Sequence, residues 1–296
     1  MTAQQCREAE AERSPVGTTP TAGATVASAG SKPVVRYWPS WLRRAFLSSW
    51  VVEIAVLLVL GVAYNIVRAL PRTRAISAVS HAHDVFSLEG PVFGWLELPL
   101  NHWIEGVTPI AVASCYLYAV LHYAATPVVF LMSRRRGNWQ YWRGYWALVL
   151  ASGMAVGVYA FYPVAPPRLV PDLDIVDTMR VFSGYGWWGA AASAPRGIGD
   201  MTNQYAAMPS MHFGWSLWCA VQMWGFKARV WRVLAVLYPL VLAVIVLATG
   251  NHFLLDVLAG ALCVLVAYAV VEPLGRLVSS GRASIGGESA AAGPVS

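Results

Sequence analysis

Gly250-Asn251-His252-Phe253-Leu254-Leu255-Asp256 stands at the junction of two apolar runs, 233–249 and 253–274. Each run is close to the roughly 20 residues a helix needs to cross a bilayer. At the mouth of the second run a carboxylate, Asp256, follows an imidazole, His252, by four residues. On a helix that spacing puts both on one face. Four more apolar runs lie upstream, at 46–70, 107–132, 145–164 and 212–226, the last of them short. Of the 296 residues, 57% are hydrophobic and 12% charged, whereas an ordinary soluble domain is about 25% charged. The expected fold class is all-α: an integral membrane bundle of six transmembrane helices, forming one domain over 36–278.

Basic residues give the expected orientation, because cytoplasmic flanks are enriched in Lys and Arg. Arg36, Arg43 and Arg44 precede the first run, and Arg134, Arg135, Arg136 and Arg143 lie between the second and third. Lys227, Arg229 and Arg232 lie between the fourth and fifth, and Arg276 and Arg282 follow the sixth. Six crossings put all of these on one side, so both termini are expected in the cytoplasm. The net charge of +6 is accounted for by this asymmetry, and no basic stripe calls for a nucleic-acid partner. Residues 1–35 have no apolar leader and are rich in Ala, Thr, Ser and Gly. They and 279–296 read as disordered cytoplasmic tails. Cys6, Cys115, Cys219 and Cys263 show no CxxC spacing, which implies neither a disulfide framework nor a zinc site. Two Lys against nineteen Arg point to a GC-rich, bacterial source.

Two further segments share the expected outer face with the first. In Met208-Pro209-Ser210-Met211-His212, Pro209 suits the first position of a helix. Ser210 to His212 would then offer backbone N–H groups to an anion, with His212 beside them to protonate a leaving oxygen. In Tyr162-Pro163-Val164-Ala165-Pro166-Pro167-Arg168, the prolines end a span, and Arg168 suits bidentate phosphate binding. A carboxylate bonded to one nitrogen of His252 would fix its tautomer and leave the other nitrogen as nucleophile. Taken singly, these are also a helix start with an interfacial His, a snorkelling Arg and a buried His–Asp pair.

The three segments, in this order, resemble the motifs of the type 2 phosphatidic acid phosphatase superfamily, a six-span membrane fold. The resemblance implies a metal-independent and cofactor-independent enzyme with an extracytoplasmic active site. It implies that His252 accepts the phosphoryl group, Asp256 orients it and His212 protonates the leaving group, while Arg168 and Ser210 hold the phosphate. The chain departs from the usual phosphatase pattern. Phe161 replaces a Lys seven residues before the Arg, Leu169 replaces a Pro after it, and Ile245-Val246 replaces a Ser-Arg pair. With two cations missing, a singly charged diester is better matched than a monoester dianion. The YPxAPPR and GNHxxxD forms look more like the inositol phosphorylceramide synthase branch. The expected activity is transfer of a phosphoryl head group from a phospholipid to a lipid or polyol hydroxyl through a phosphohistidine. Hydrolysis of a lipid phosphate by the same residues is one alternative, and a non-catalytic transporter or scaffold is another. Neither donor, acceptor nor oligomeric state follows from the residues.

The segment 71–106 reads as an interfacial amphipathic stretch, with Trp95 and Trp103 suited to headgroups. The segment 166–207 reads as an extracytoplasmic loop and lid. Asn203, Gln204 and Tyr205 precede the second motif and are candidate head-group contacts. His122, inside the second run, reads as a core histidine that could alternatively meet substrate, and Glu53 in the first run has no assigned role. His81-Ala82-His83-Asp84 and Asp172-Leu173-Asp174 have metal-binding residue types but read as loop.

Overall fold

The computed structural model describes residues 50–68, 74–136, 139–188 and 204–291, with side chains to residue 273 apart from Arg68 and Arg74. The tail expected at 1–35 and Asn203 lie outside the described residues. The described residues are all helical or irregular. In chain order the helices are α1 (Trp50–Arg68), α2 (Arg74–Val92), a π-helical turn (Phe93–Glu97), α3 (Leu98–Glu105), α4 (Thr108–Arg134) and α5 (Trp139–Phe161). After 3-10 turns at Pro167–Leu169 and Pro171–Leu173 come α6 (Thr178–Val181), α7 (Met211–Trp224), α8 (Arg229–Ala248) and α9 (Leu254–Ala291). Five of them, α1, α4, α5, α8 and the first part of α9, are long and apolar enough to cross a membrane, which marks a membrane protein. The fourth expected span is α7, whose 14 residues fall short of that length. At the other end α9 extends into the tail expected at 279–296, because no proline interrupts the backbone between Pro273 and Pro294.

The short helix α7 is central, packed against α4, α5, α8 and α9. Small residues let it sit close. A Cβ on Gly260 of α9 would collide with the backbone oxygen of Ser210, and one on Gly214 of α7 would stand 3.3 Å from the Gly260 oxygen. Such small-residue contacts are how helices approach in membranes. Trp218 of α7 donates from Nε1 to the Gly144 oxygen of α5 at 2.7 Å. The helix α1 lies at the edge, against α5. Its Glu53 is buried and accepts from Arg134 Nε at 2.9 Å and from the Tyr141 hydroxyl at 2.5 Å. Those partners satisfy the intramembrane carboxylate that the sequence left without a role.

The 71–106 segment is helical from Arg74 and docks on the motif segments. Ala78, Ala82, Val85 and Phe93 pack with Val164, Ala165, Ala207 and Phe253 in a second core cluster. Its outer face leaves Ile76, Leu88, Trp95 and Trp103 exposed. In the 166–207 segment the described half also packs down. Trp188 is fully buried, donates to the Met179 oxygen at 3.0 Å and meets Tyr116 of α4 edge-on.

Candidate active site

Backbone hydrogen bonds tie the three motif segments together. Val164 N donates to the Tyr205 oxygen at 3.0 Å and Ala207 N to the Val164 oxygen at 3.1 Å, joining the first motif to the approach of the second. Arg168 N donates to the Gly250 oxygen at 3.0 Å, and Ser210 N to the Asp256 oxygen at 2.8 Å. Gly250 has φ +67° and a Cβ there would stand 2.5 Å from Ile175 Cγ2. Both the left-handed backbone and the close approach require glycine.

His252 sits just ahead of α9 and is 4% exposed. Its Nδ1 is 2.9 Å from the Ala207 oxygen and 3.5 Å from Asp256 Oδ2. The nearer partner is a carbonyl, which can only accept. It therefore places the proton on Nδ1. The expected pairing with Asp256 is present but longer, because Asp256 Oδ2 also accepts from Phe253 N at 2.9 Å. Nε2 of His252 is buried with no hydrogen-bond partner among the described residues, and the residue lines a cavity.

His212 is in the first turn of α7, its ring centroid 5.6 Å from that of His252. It stacks on Tyr118 of α4 at 4.3 Å, and its Nε2 is likewise unpartnered. The helix starts later than a proline-first geometry predicts. Ser210 is the N-cap rather than the second helical residue, its hydroxyl accepting from Phe213 N at 3.5 Å. A cap with β-region backbone competes with proline-first geometry, and the Ser side chain wins. Ser210 is fully buried and its N–H is spent on Asp256. The first helical N–H groups are those of Met211 and His212.

Arg168 lines the cavity with its side chain 2% exposed. It is not a free cation. Nε donates to Asn251 Oδ1 at 2.9 Å, and an Nη donates to Asp177 Oδ2 at 3.0 Å. Asn251 is itself held by Thr249 Oγ1 at 2.8 Å. The positions where the superfamily pattern would supply cations offer none. Phe161 points outward, 89% exposed, and Val246 is fully buried in the core.

The cavity has a volume of about 600 Å³. Gln204, Arg168, His212, Asn251 and His252 line its polar end. Leu57, Leu60, Pro127, Phe130, Leu148 and Val156 line an apolar arm between α1, α4 and α5. Tyr205 instead packs in the second cluster, its backbone oxygen engaged by Val164.

Three further residues have placements that the sequence does not settle. Glu97 Oε1 accepts from Leu254 N at 2.5 Å, and Glu89 Oε2 from Leu255 N at 2.9 Å, so two buried carboxyls cap the start of α9. Burial and repulsion from Glu89 push Glu97 up to about 9. The third is His122, expected as a core histidine, which the structure places on the cavity wall beside His212. The metal-like sequences find other uses. His81 Nδ1 lies 2.8 Å from the Pro163 oxygen, and His83 and His102 lie 3.6 and 3.9 Å from Asp172 and Asp174. Among the described residues no three His, Cys, Asp or Glu side chains are arranged to hold a metal ion.

The family model of the PAP2 superfamily matches residues 83–270, more than half of the chain and all three motif segments. The chain therefore belongs to the PAP2 superfamily, enzymes of the phosphatase and phosphotransferase type that act on lipid phosphates. No curated protein and no solved structure matches it.

Proposed function

We propose that the protein is a membrane phosphotransferase that moves a phosphoryl head group from a phospholipid to an alcohol through a phosphohistidine at His252. The observation that carries this reading is the state of His252: Nδ1 held by the Ala207 carbonyl and Asp256, Nε2 buried without a hydrogen-bond partner among the described residues, in a residue that lines the cavity. Nε2 attacks phosphorus while Arg168 and the first N–H groups of α7 hold the phosphate oxygens. His212 gives its proton to the departing alkoxide. Ser210 acts through the helix it caps. Positioning and fixed electrostatics supply most of the rate in such transfers.

The Arg168–Asp177 pair supports a diester donor. Half-neutralised, Arg168 matches the single negative charge of a diester better than the two of a monoester. The YPxAPPR and GNHxxxD forms favour the inositol phosphorylceramide synthase-like branch. The basic flanks favour six crossings, with α7 as a short fourth span, cytoplasmic termini and a site on the extracytoplasmic side. The exposed Leu88, Trp95 and Trp103 favour an interfacial position for α2 and α3.

The test is acid-labile labelling of the purified full chain with phosphorus-labelled phospholipids in mixed micelles, followed by product analysis. Wild type is expected to carry label that His252→Ala lacks, and to pass it to an added alcohol. Label that survives His252→Ala would overturn the nucleophile assignment. Release of the label as a water-soluble head-group phosphate, or as inorganic phosphate from a monoester, with none passed to the alcohol would establish hydrolysis instead.

A further inference from the structure

The chemistry above uses two imidazoles, and the cavity holds a third. His122 is on α4, one turn after Tyr118, and is 3% exposed. Its ring centroid is 4.1 Å from that of His212, closer than His212 is to His252. Its other ring neighbours are Tyr123, at 3.8 Å, and Trp215, at 6.0 Å. Its hydrogen-bonding neighbour is the Tyr118 backbone one turn earlier, and among the described residues Nδ1 makes no hydrogen bond of normal geometry. A buried imidazole nitrogen with a poorly made hydrogen bond is costly and calls for a reason. The residue lines the same cavity as His212, His252 and Trp215.

We infer that His122 is a further catalytic base of this site, taking the proton of the acceptor alcohol in the second half of the reaction. The inference rests on the transfer reading. In the first half, a bond forms between His252 Nε2 and phosphorus, the bond from phosphorus to the departing oxygen breaks, and His212 protonates that oxygen. His212 and His122 are then both neutral. In the second half, the acceptor oxygen attacks phosphorus and the phosphorus–nitrogen bond breaks, its electron pair returning to His252. The acceptor's proton goes to His122 and crosses to the adjoining His212 ring, restoring the starting state. One proton leaves and one returns, so the pair needs no exchange with solvent, which suits its burial. The apolar side chains that share this cavity, Leu57, Leu60, Phe130 and Val156 among them, match an acceptor with a hydrocarbon body, a lipid alcohol rather than a soluble polyol.

His122→Phe keeps the ring volume and removes the proton site, and His122→Gln keeps a polar group. With labelled phospholipid in mixed micelles, both variants are expected to label His252 within a few-fold of the wild-type rate. Discharge of the trapped label to a long-chain alcohol should slow about 100-fold, the lower end of what general acid–base catalysis contributes. A loss of packing alone would slow labelling and discharge together. Discharge at the wild-type rate in both variants, or equal loss of both steps, overturns the role of His122 and leaves the transfer reading standing. Faster discharge to glycerol than to the long-chain alcohol in wild type overturns the lipid-acceptor part. A wild type that never labels His252 removes the transfer reading and this inference with it.

Discussion

At the scale of single residues, the character of the site is set by what Arg168 touches. Asp177 takes up part of its charge and Asn251 fixes its plane. Replacing Asp177 with Asn keeps a hydrogen-bond acceptor and restores the full cation. We expect Asp177→Asn to raise turnover of a monoester such as phosphatidic acid, relative to a diester, by about tenfold, or roughly 1.4 kcal/mol. Parallel assays of both substrates would measure it, and an unchanged ratio would mean that Asp177 does not set the charge preference. The candidate catalytic residues are legible in the chain, because His212, His252, Asp256 and Arg168 lie in short segments with recognisable spacing. Asp177 and His122 are not. Asp177 is nine residues from Arg168 in an irregular stretch, and its role exists only once that stretch folds back. His122 sits in a uniformly apolar run, where a core histidine and a site histidine look the same.

Among the elements, the start of α9 is the most constrained. Phe253, Leu254 and Leu255 each give their N–H to a carboxyl group, from Asp256, Glu97 and Glu89 respectively. An ionised carboxylate at a helix N-terminus offsets its dipole, and a neutral carboxyl still accepts the hydrogen bond. Glu97, held up at about 9 against an ordinary 4.5, stays protonated where the unfolded chain would be ionised. The unfolded state then binds fewer protons, so stability falls as pH rises from 4.5 towards 9 and levels off above that window. Thermal unfolding in detergent should show this slope for wild type. Glu97→Gln, which cannot titrate, should flatten it, and an equal slope in the variant would remove Glu97 as its source. Contact between α7 and α9 gives a second expectation. Gly260→Ala places a methyl group against the Ser210 backbone, which cannot swing away as a side chain could. The helices must separate, and the variant should lose about 1–3 kcal/mol together with most of its activity, as read by melting temperature and turnover. Hydropathy announces the apolar helices, and residue spacing announces the motif at the start of α9. Neither announces Glu89 and Glu97, which reach this helix from more than 150 residues away.

For the whole molecule, the charge asymmetry and the apolar runs indicate a membrane bundle from the chain alone, and five helices of spanning length agree with that. Length is where hydropathy is least informative: α7 carries the second motif yet is only 14 residues long. The proposed topology puts Asp174, with its side chain 86% exposed, outside and Lys227 inside. Cysteines placed by Asp174→Cys and Lys227→Cys should differ towards a membrane-impermeant maleimide, the first reacting in intact cells and the second only after permeabilisation. The reverse pattern would invert the protein. A short central helix also fixes a depth. Fourteen residues rise about 21 Å, whereas the hydrocarbon layer is about 30 Å thick. In the proposed topology, with the Trp224 end of α7 at the cytoplasmic boundary, His212 stands about 18 Å above it and roughly 12 Å below the outer boundary. The phosphorus must come down to the histidines, so a substrate already anchored in the outer leaflet has the shorter journey.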